Sequence, residues 1–167
     1  MDALSLLKQQ VATARREFQG VMQDVDEAMA HWQPPGVANP IDDLFLHTVL
    51  GQDRQVSRLS GNVPVFETWA AKLNLPADWR QTPETSRNVK VSLEALKQYA
   101  DAVYGAVDAY LNGISDADLD QMVDAFGSQV SVASQISRNL VVHIYEHTGE
   151  ISTLKGLQGA KGYATGS

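Results

Sequence analysis

His143 and His147 stand four residues apart in "HIYEHTGEI", residues 143–151. On a helix they lie about 40° apart and one turn above each other, so both imidazoles reach one point beside the helix. Glu150 falls within about 20° of His143 and Asn139 about 40° to the other side, extending the pair into a polar stripe. Within it, His143 and His147 occupy positions where the helical period asks for apolar residues. Imidazoles pointing inward need a partner, because a polar group at a core position costs free energy unless it is paired. A metal ion is one such partner, and helical bundles hold metals on inward side chains.

Two ligands from one helix do not complete a site. His47, among Leu44, Leu50 and Gly51 in an earlier amphipathic segment, is the expected third, with Gly51 leaving space beside it. Three neutral imidazoles with an open position suit a divalent ion such as zinc. Glu150 is the candidate catalytic carboxylate. The remaining histidine, His31, stands at the end of the first apolar segment, where a cation suits the negative end of the helix dipole, and it is left outside the site. "HIYEH" also matches the H-x-x-E-H pattern of inverted zinc proteases. Glu146, however, projects about 60° from His143 and about 100° from His147. An all-helical chain also has no sheet edge on which a peptide substrate lies. The protease reading is set aside.

Three long segments supply the helices that must position these groups. The first repeats apolar residues from Leu4 to Ala28 and stops at "HWQPPGVANP", where Pro34, Pro35 and Gly36 cannot continue a helix. Another runs from Val89 to Ile114. The last runs Ala133, Ile136, Leu140, His143, His147, Ile151, Leu154 and Leu157, and ends in glycine-rich "KGLQGAKG". A further helix is expected over about residues 40–59, with Asn39 as N-cap, Pro40 at the first helical position, and Asp42 and Asp43 in the first turn. Residues 60–88 carry Gly61, Pro64, Pro76 and Pro83 and form a long connection with a short helix near Phe66 to Leu73. Ser115 caps a short helix in "SDADLDQMVDAFG". No period-two strand is expected. The fold class is therefore all-α, a four-helix bundle with one long crossover and short extra helices. It occupies residues 1–158 as one domain, followed by a glycine-rich tail over 159–167.

Composition narrows the function. The 167 residues contain no cysteine, which removes disulfides, thiolate ligands and any thiol nucleophile carried by the chain. Thirteen Lys plus Arg against twenty Asp plus Glu give a net charge of −7. Phosphate backbones are bound by clustered cations, so neither a nucleic acid nor an anionic membrane is the expected partner. No stretch approaches the roughly 18 apolar residues of a membrane span, and the first residues lack a signal peptide's apolar core. A cytoplasmic protein with a small-molecule substrate is expected. Phe45, Val49 and Val56 lie across the helix from His47; if exposed, they suit a homodimer contact. Trp32, Trp69 and Trp79 are read as packing residues. Arg54 projects within about 20° of His47, nearly two turns on, and is placed to meet a substrate carboxylate or a surface acid.

"HWQPPGVANPIDDLFLHTVLGQDRQV", with "RNLVVHIYEHTGEISTLKGLQGAKG" far downstream, resembles the DinB-like superfamily, which includes the YfiT-like proteins. The resemblance covers most of the chain and implies a bacterial metal-binding four-helix bundle. It further implies a zinc or nickel ion on His47, His143 and His147. The activity it implies is thiol-dependent transfer or isomerisation with a low-molecular-weight thiol cosubstrate such as bacillithiol or mycothiol. Glutamine commonly stands in the family where this chain has Glu150. The carboxylate is then a direct ligand, an orienting partner for an imidazole, or a group that activates water. Two other functions stay open. One is a hydrolase using a metal-bound water with Glu150 as general base. The other is a non-catalytic metal-binding or interaction domain.

Overall fold

Asp2 accepts the amide of Ser5 at 2.7 Å and starts helix α1, Ala3–Val21, which buries Leu4, Val11, Ala14, Phe18 and Val21 at helical spacing. A computed structural model of the chain describes residues 1–76, 78–79, 81–125 and 127–163. The first apolar segment was expected to continue as one helix to Ala28, and it does not. Lys155, fully buried, donates from Nζ to the carbonyl of Val21 at 2.9 Å and pairs with Asp24. Asp26 then caps a separate short helix, α2, Glu27–Ala30. Val25 and Ala30 are buried while Ala28 is exposed, so the apolar period runs through a break in the helix.

The central element is α3, Ile41–Ser60, one residue from the expected bounds, with Pro40 in the cap position. It is buried on several sides, and its buried acids fasten the chain that crosses it. Asp42 accepts the amide of Val91 at 3.1 Å, and Asp43 accepts the hydroxyl of Ser86 at 2.6 Å. Asp53 accepts the amides of Val65 and Phe66 at 2.9 and 2.8 Å and the Tyr99 hydroxyl at 2.7 Å. These bonds explain how a proline-rich crossover stays on the helix without a sheet to hold it. Within the crossover lie α4, Phe66–Trp69, and α5, Pro83–Asn88, the latter opened by a Thr82–Thr85 capping box and not foreseen from the sequence. Trp32, Trp69 and Trp79 all pack partly buried against the core, as expected.

Helix α6, Leu93–Gly113, packs on α3 and buries Leu96, Tyr99, Val103 and Val107. Arg15 of α1 reaches α6 through a two-pronged contact with Asp108, at 2.9 and 2.8 Å. Ser115 forms its expected cap, but the segment it opens is a 3-10 turn, Asp116–Asp120. Strand β1, Met122–Ala125, comes next and pairs antiparallel with β2, Ser128–Ser131. This hairpin corrects the expectation of no strand. Its four-residue arms are too short for alternation to register, and Gly127 supplies the positive φ of 85° that the reversal needs.

The last long segment is composite: α7, Val132–Ser137, a π-helical turn, Arg138–Val142, and α8, His143–Leu157. Helix α8 packs on both α1 and α3. It stops as expected at the glycines. The amides of Gly159 and Ala160 return to the carbonyls of Gly156 and Lys155, both at 3.0 Å, with Gly159 at φ 79°. Leu157, expected inward, is exposed, and Ile144, Thr148, Ile151 and Lys155 form the buried face. Of the expected tail, residues 164–167 lie outside the described residues. Phe45, Val49 and Val56 are buried within the chain, so the surface on which the homodimer expectation rested is not exposed. No helix among the described residues is long and apolar enough to cross a membrane.

Candidate metal centre

His47 projects from the second turn of α3, and His143 and His147 from the first turn and a half of α8. The packing of α8 on α3 brings all three together. Nε2 of His143 lies 3.2 Å from Nε2 of His47 and 3.0 Å from Nε2 of His147. The rings stand nearly perpendicular where His147 meets the other two, at 83° and 90°. They are half-buried at the mouth of a cleft, not deep in the core as the apolar period suggested.

The spacing suits a shared cation. Two nitrogens each about 2.05 Å from one zinc-like ion stand about 2.9 Å apart at a right angle and about 3.3 Å apart at the tetrahedral angle. Both observed separations fall in that interval. Hydrogen bonding alone is a poor alternative, since every N–H placed between two of these nitrogens leaves His143 serving two partners with one atom. The donor set could hold a divalent metal ion of the kind that imidazole nitrogen binds.

Electrostatics keep the His143 ring unprotonated. Burial, then the nearby His147 and His47, push the His143 imidazole down from 6.5 to about 4, so its lone pair stays available at neutral pH. On the far side of His147, Nδ1 donates to Glu150 Oε2 at 2.6 Å. In the neutral ring that bond places the hydrogen on Nδ1, so the lone pair lies on Nε2, on the side of His143. Glu150 therefore stands behind a histidine, and the three-histidine group is formed without it. His143 is steered differently. Its Nδ1 has no hydrogen-bond partner among the described residues, and its ring lies against Gly51, where an added Cβ would meet Cε1 at 3.1 Å and Nδ1 at 3.5 Å. Gly51 was expected to leave room by His47; the room it leaves is for His143.

Glu146 turns away from the histidines and bonds Arg138 at 2.9 Å, which removes the geometric basis of the protease pattern. His31 is remote, held at 3.1 Å from the Val91 carbonyl and 3.2 Å from Glu27; it ends α2 instead of the first long helix. Asn139 of the polar stripe donates back to the Gln135 carbonyl at 3.0 Å.

Beside His47 and His143 opens a cleft of about 510 Å³, within the range of small-molecule sites. Arg54 lines it, and so do Arg58 and Arg138, which sequence reasoning passed over. The available signal was their spacing: Arg54 and Arg58 come seven and eleven residues after His47 and so share its face. The π-helical turn just before His143 was also missed. Such turns recur at functional sites, because the extra residue in the turn re-aims the side chains beyond it.

Comparison with known proteins agrees with this architecture. A crystal structure of a conserved protein from Enterococcus faecalis superposes with a TM-score of 0.80, covering 94% of this chain and 97% of that one at 23% identity. This likeness carries the fold alone. No curated protein sequence matches the chain. Residues 10–151 match the DinB superfamily, and on that match the chain belongs to this superfamily.

Proposed function

We propose that the protein is a divalent-metal-dependent enzyme of the DinB type, a transferase acting with a low-molecular-weight thiol cosubstrate. The observation that carries the reading is the meeting of three imidazole Nε2 atoms beside an open cleft. His47, His143 and His147 would hold the ion. When bound, a zinc or nickel ion there supplies the positive charge that favours the thiolate form of a coordinated thiol at neutral pH.

The chain's own residues do the rest. His147 is fixed in one tautomer by Glu150, and His143 is held neutral by burial and its histidine neighbours. Gly51 gives the His143 ring its place. The cleft wall of α3 and the π-helical turn admits a small molecule to the His143 side of the cluster. The absence of cysteine means that any sulfur in the reaction comes from the cosubstrate. In this reading the long helices α1, α3, α6 and the composite α7–α8 form one four-helix-bundle domain over residues 1–158, working in the cytoplasm.

Elemental analysis of the purified protein, and then a thiol-transfer screen with and without chelator, tests the proposal. Stoichiometric zinc or nickel that is lost in His47→Ala and His143→Ala is expected, with chelator-sensitive transfer. Unchanged metal content in those variants removes the site. Turnover of esters or amides without thiol replaces the transferase by a hydrolase.

A further inference from the structure

One face of α3 carries His47, Gly51, Arg54 and Arg58, all within about 60° of one another around the helix. All four line the same cleft, and Arg138 joins them from the facing π-helical turn. Three of the chain's seven arginines thus surround one opening, in a protein whose net charge is −7. None of the described residues lining the cleft is acidic. Of the three arginines, Arg138 is tied to Glu146 at the exposed rim of the cleft. Arg54 is exposed and makes no hydrogen bond or ion pair with a described residue. Gln55, beside it and buried, also lines the cleft, and its side-chain nitrogen has no acceptor among the described residues. Repelling cations held around a concave surface, beside a buried donor that lacks an acceptor, make a site for an anion.

We infer that Arg54 and Arg58 form a carboxylate-recognising subsite, which holds the anionic end of a small molecule while its reactive end lies at His47 and His143. Arg54 comes seven residues after His47, about 10 Å along the helix axis, and Arg58 about 16 Å along it. Long side chains on a helix lean toward its N-terminus, which for Arg54 and Arg58 is the direction of His47, and this shortens the span. The guanidinium fork pairs with both oxygens of a carboxylate and so orients the molecule as well as attracting it. The assignment of the reacting end rests on the metal-dependent function proposed for the histidine cluster; the anion subsite itself does not require the ion. The carboxylate belongs either to the thiol cosubstrate or to its acceptor.

The test has a metal-free arm and a metal-loaded arm. In the first, chelator-treated protein is titrated with glutarate and with its neutral analogue glutaramide, monitoring backbone amide NMR shifts. Glutarate is expected to shift residues around 51–58 and 135–143, and glutaramide is not. Arg54→Gln with Arg58→Gln is expected to weaken glutarate binding at least tenfold, while Lys90→Gln, outside the cleft, leaves it unchanged. Glutarate binding that ignores the arginine changes, or that does not perturb the cleft, overturns the inference, whatever the metal does. In the second arm, cobalt-loaded protein is titrated with 3-mercaptopropanoate and 3-mercaptopropanamide, reading the sulfur-to-cobalt absorption band. A preference for the acid that disappears in the double variant assigns the carboxylate to the thiol. Equal binding of both thiols, with the glutarate result intact, assigns it to the acceptor. Absence of a band with either thiol defeats the thiol reading and leaves the anion subsite to be judged by the first arm.

Discussion

Glu150 accepts a hydrogen bond from the Nδ1–H of His147 at 2.6 Å, one turn along the same helix, so a carboxylate backs one ring of the cluster and sets its tautomer. Partners of this kind raise the basicity of a metal-binding imidazole, and their loss typically costs 10–100-fold in affinity. Glu150→Ala is therefore expected to weaken zinc binding by about that factor, with Glu150→Gln falling between. Competition with a chromophoric chelator measures it. Intact affinity combined with lost turnover would instead move Glu150 to the substrate.

The place of Gly51 yields a sharper separation of metal binding from folding. A Cβ at this position meets the His143 ring at 3.1 Å, closer than side chains ordinarily approach, so the ring must tilt. Alanine also stabilises a helix interior relative to glycine by roughly 0.5–1 kcal/mol. Gly51→Ala is expected to bind metal about tenfold more weakly while the metal-free protein unfolds at the same or higher urea concentration. A matching fall in both would mean that the residue serves general packing only.

The histidine triad was legible because its chemistry is local: an i, i+4 pair on α8 and one histidine out of place on an apolar helix face. The bounds of α3 and the end of α6 were legible for a similar reason, since caps, prolines and apolar spacing act over a few residues, whereas the segment expected from Val89 becomes helical only at Leu93. What escaped the sequence depends on distant partners. The end of α1 is set by Lys155, which lies 134 positions away, and Val25 continues the apolar period across the break. The π-helical turn alters the phase on which the inward face of the last segment was projected, so Leu157 emerges exposed and Lys155 buried. The hairpin 122–131 is too short to display a period. Arg58 and Arg138 gain meaning only once two helices face each other across a cleft.

Lys155 provides a stability test away from the metal. Its ammonium satisfies the Val21 carbonyl at the end of α1, inside the core. Lys155→Met preserves the stem but strands that carbonyl, and a loss of about 1–3 kcal/mol is expected. Asp24 is half-exposed, and Asp24→Asn keeps an oxygen to accept from the ammonium, so it is expected to cost less than Lys155→Met. Urea unfolding of the metal-free variants decides between them, and equal losses would show the ion pair, not the carbonyl, to be the essential contact.

Asp42 gives the chain a pH-dependent term of unusual sign for a carboxylate. Burial pushes its pKa up from 3.8 to about 6, against the opposing pull of the Val91 amide and of His31. One carboxylate oxygen accepts the Val91 amide, and the other is buried without a partner among the described residues. Below about pH 4 the group is protonated in both folded and unfolded chains and costs nothing. Between about 4 and 6 the unfolded chain releases the proton first, so folding must hold it or bury the charge, and stability falls as pH rises. Above about 6 the charge is present in both states and the penalty is constant, at most about 3 kcal/mol. Asp42→Asn removes this term while retaining an acceptor for Val91. Its amide nitrogen takes the position that lacks a partner, so the absolute stability of the variant at neutral pH reflects two opposed changes. The difference between the two proteins is the informative quantity. Wild type is expected to lose stability relative to Asp42→Asn between about pH 4 and 6, and to run parallel to it from about 6.5 to 7.5, in urea unfolding of chelator-treated protein. Parallel curves throughout the acid range would mean that Asp42 is solvated and ionises normally, and the crossover at Val91 would then need another explanation for its hold on α3.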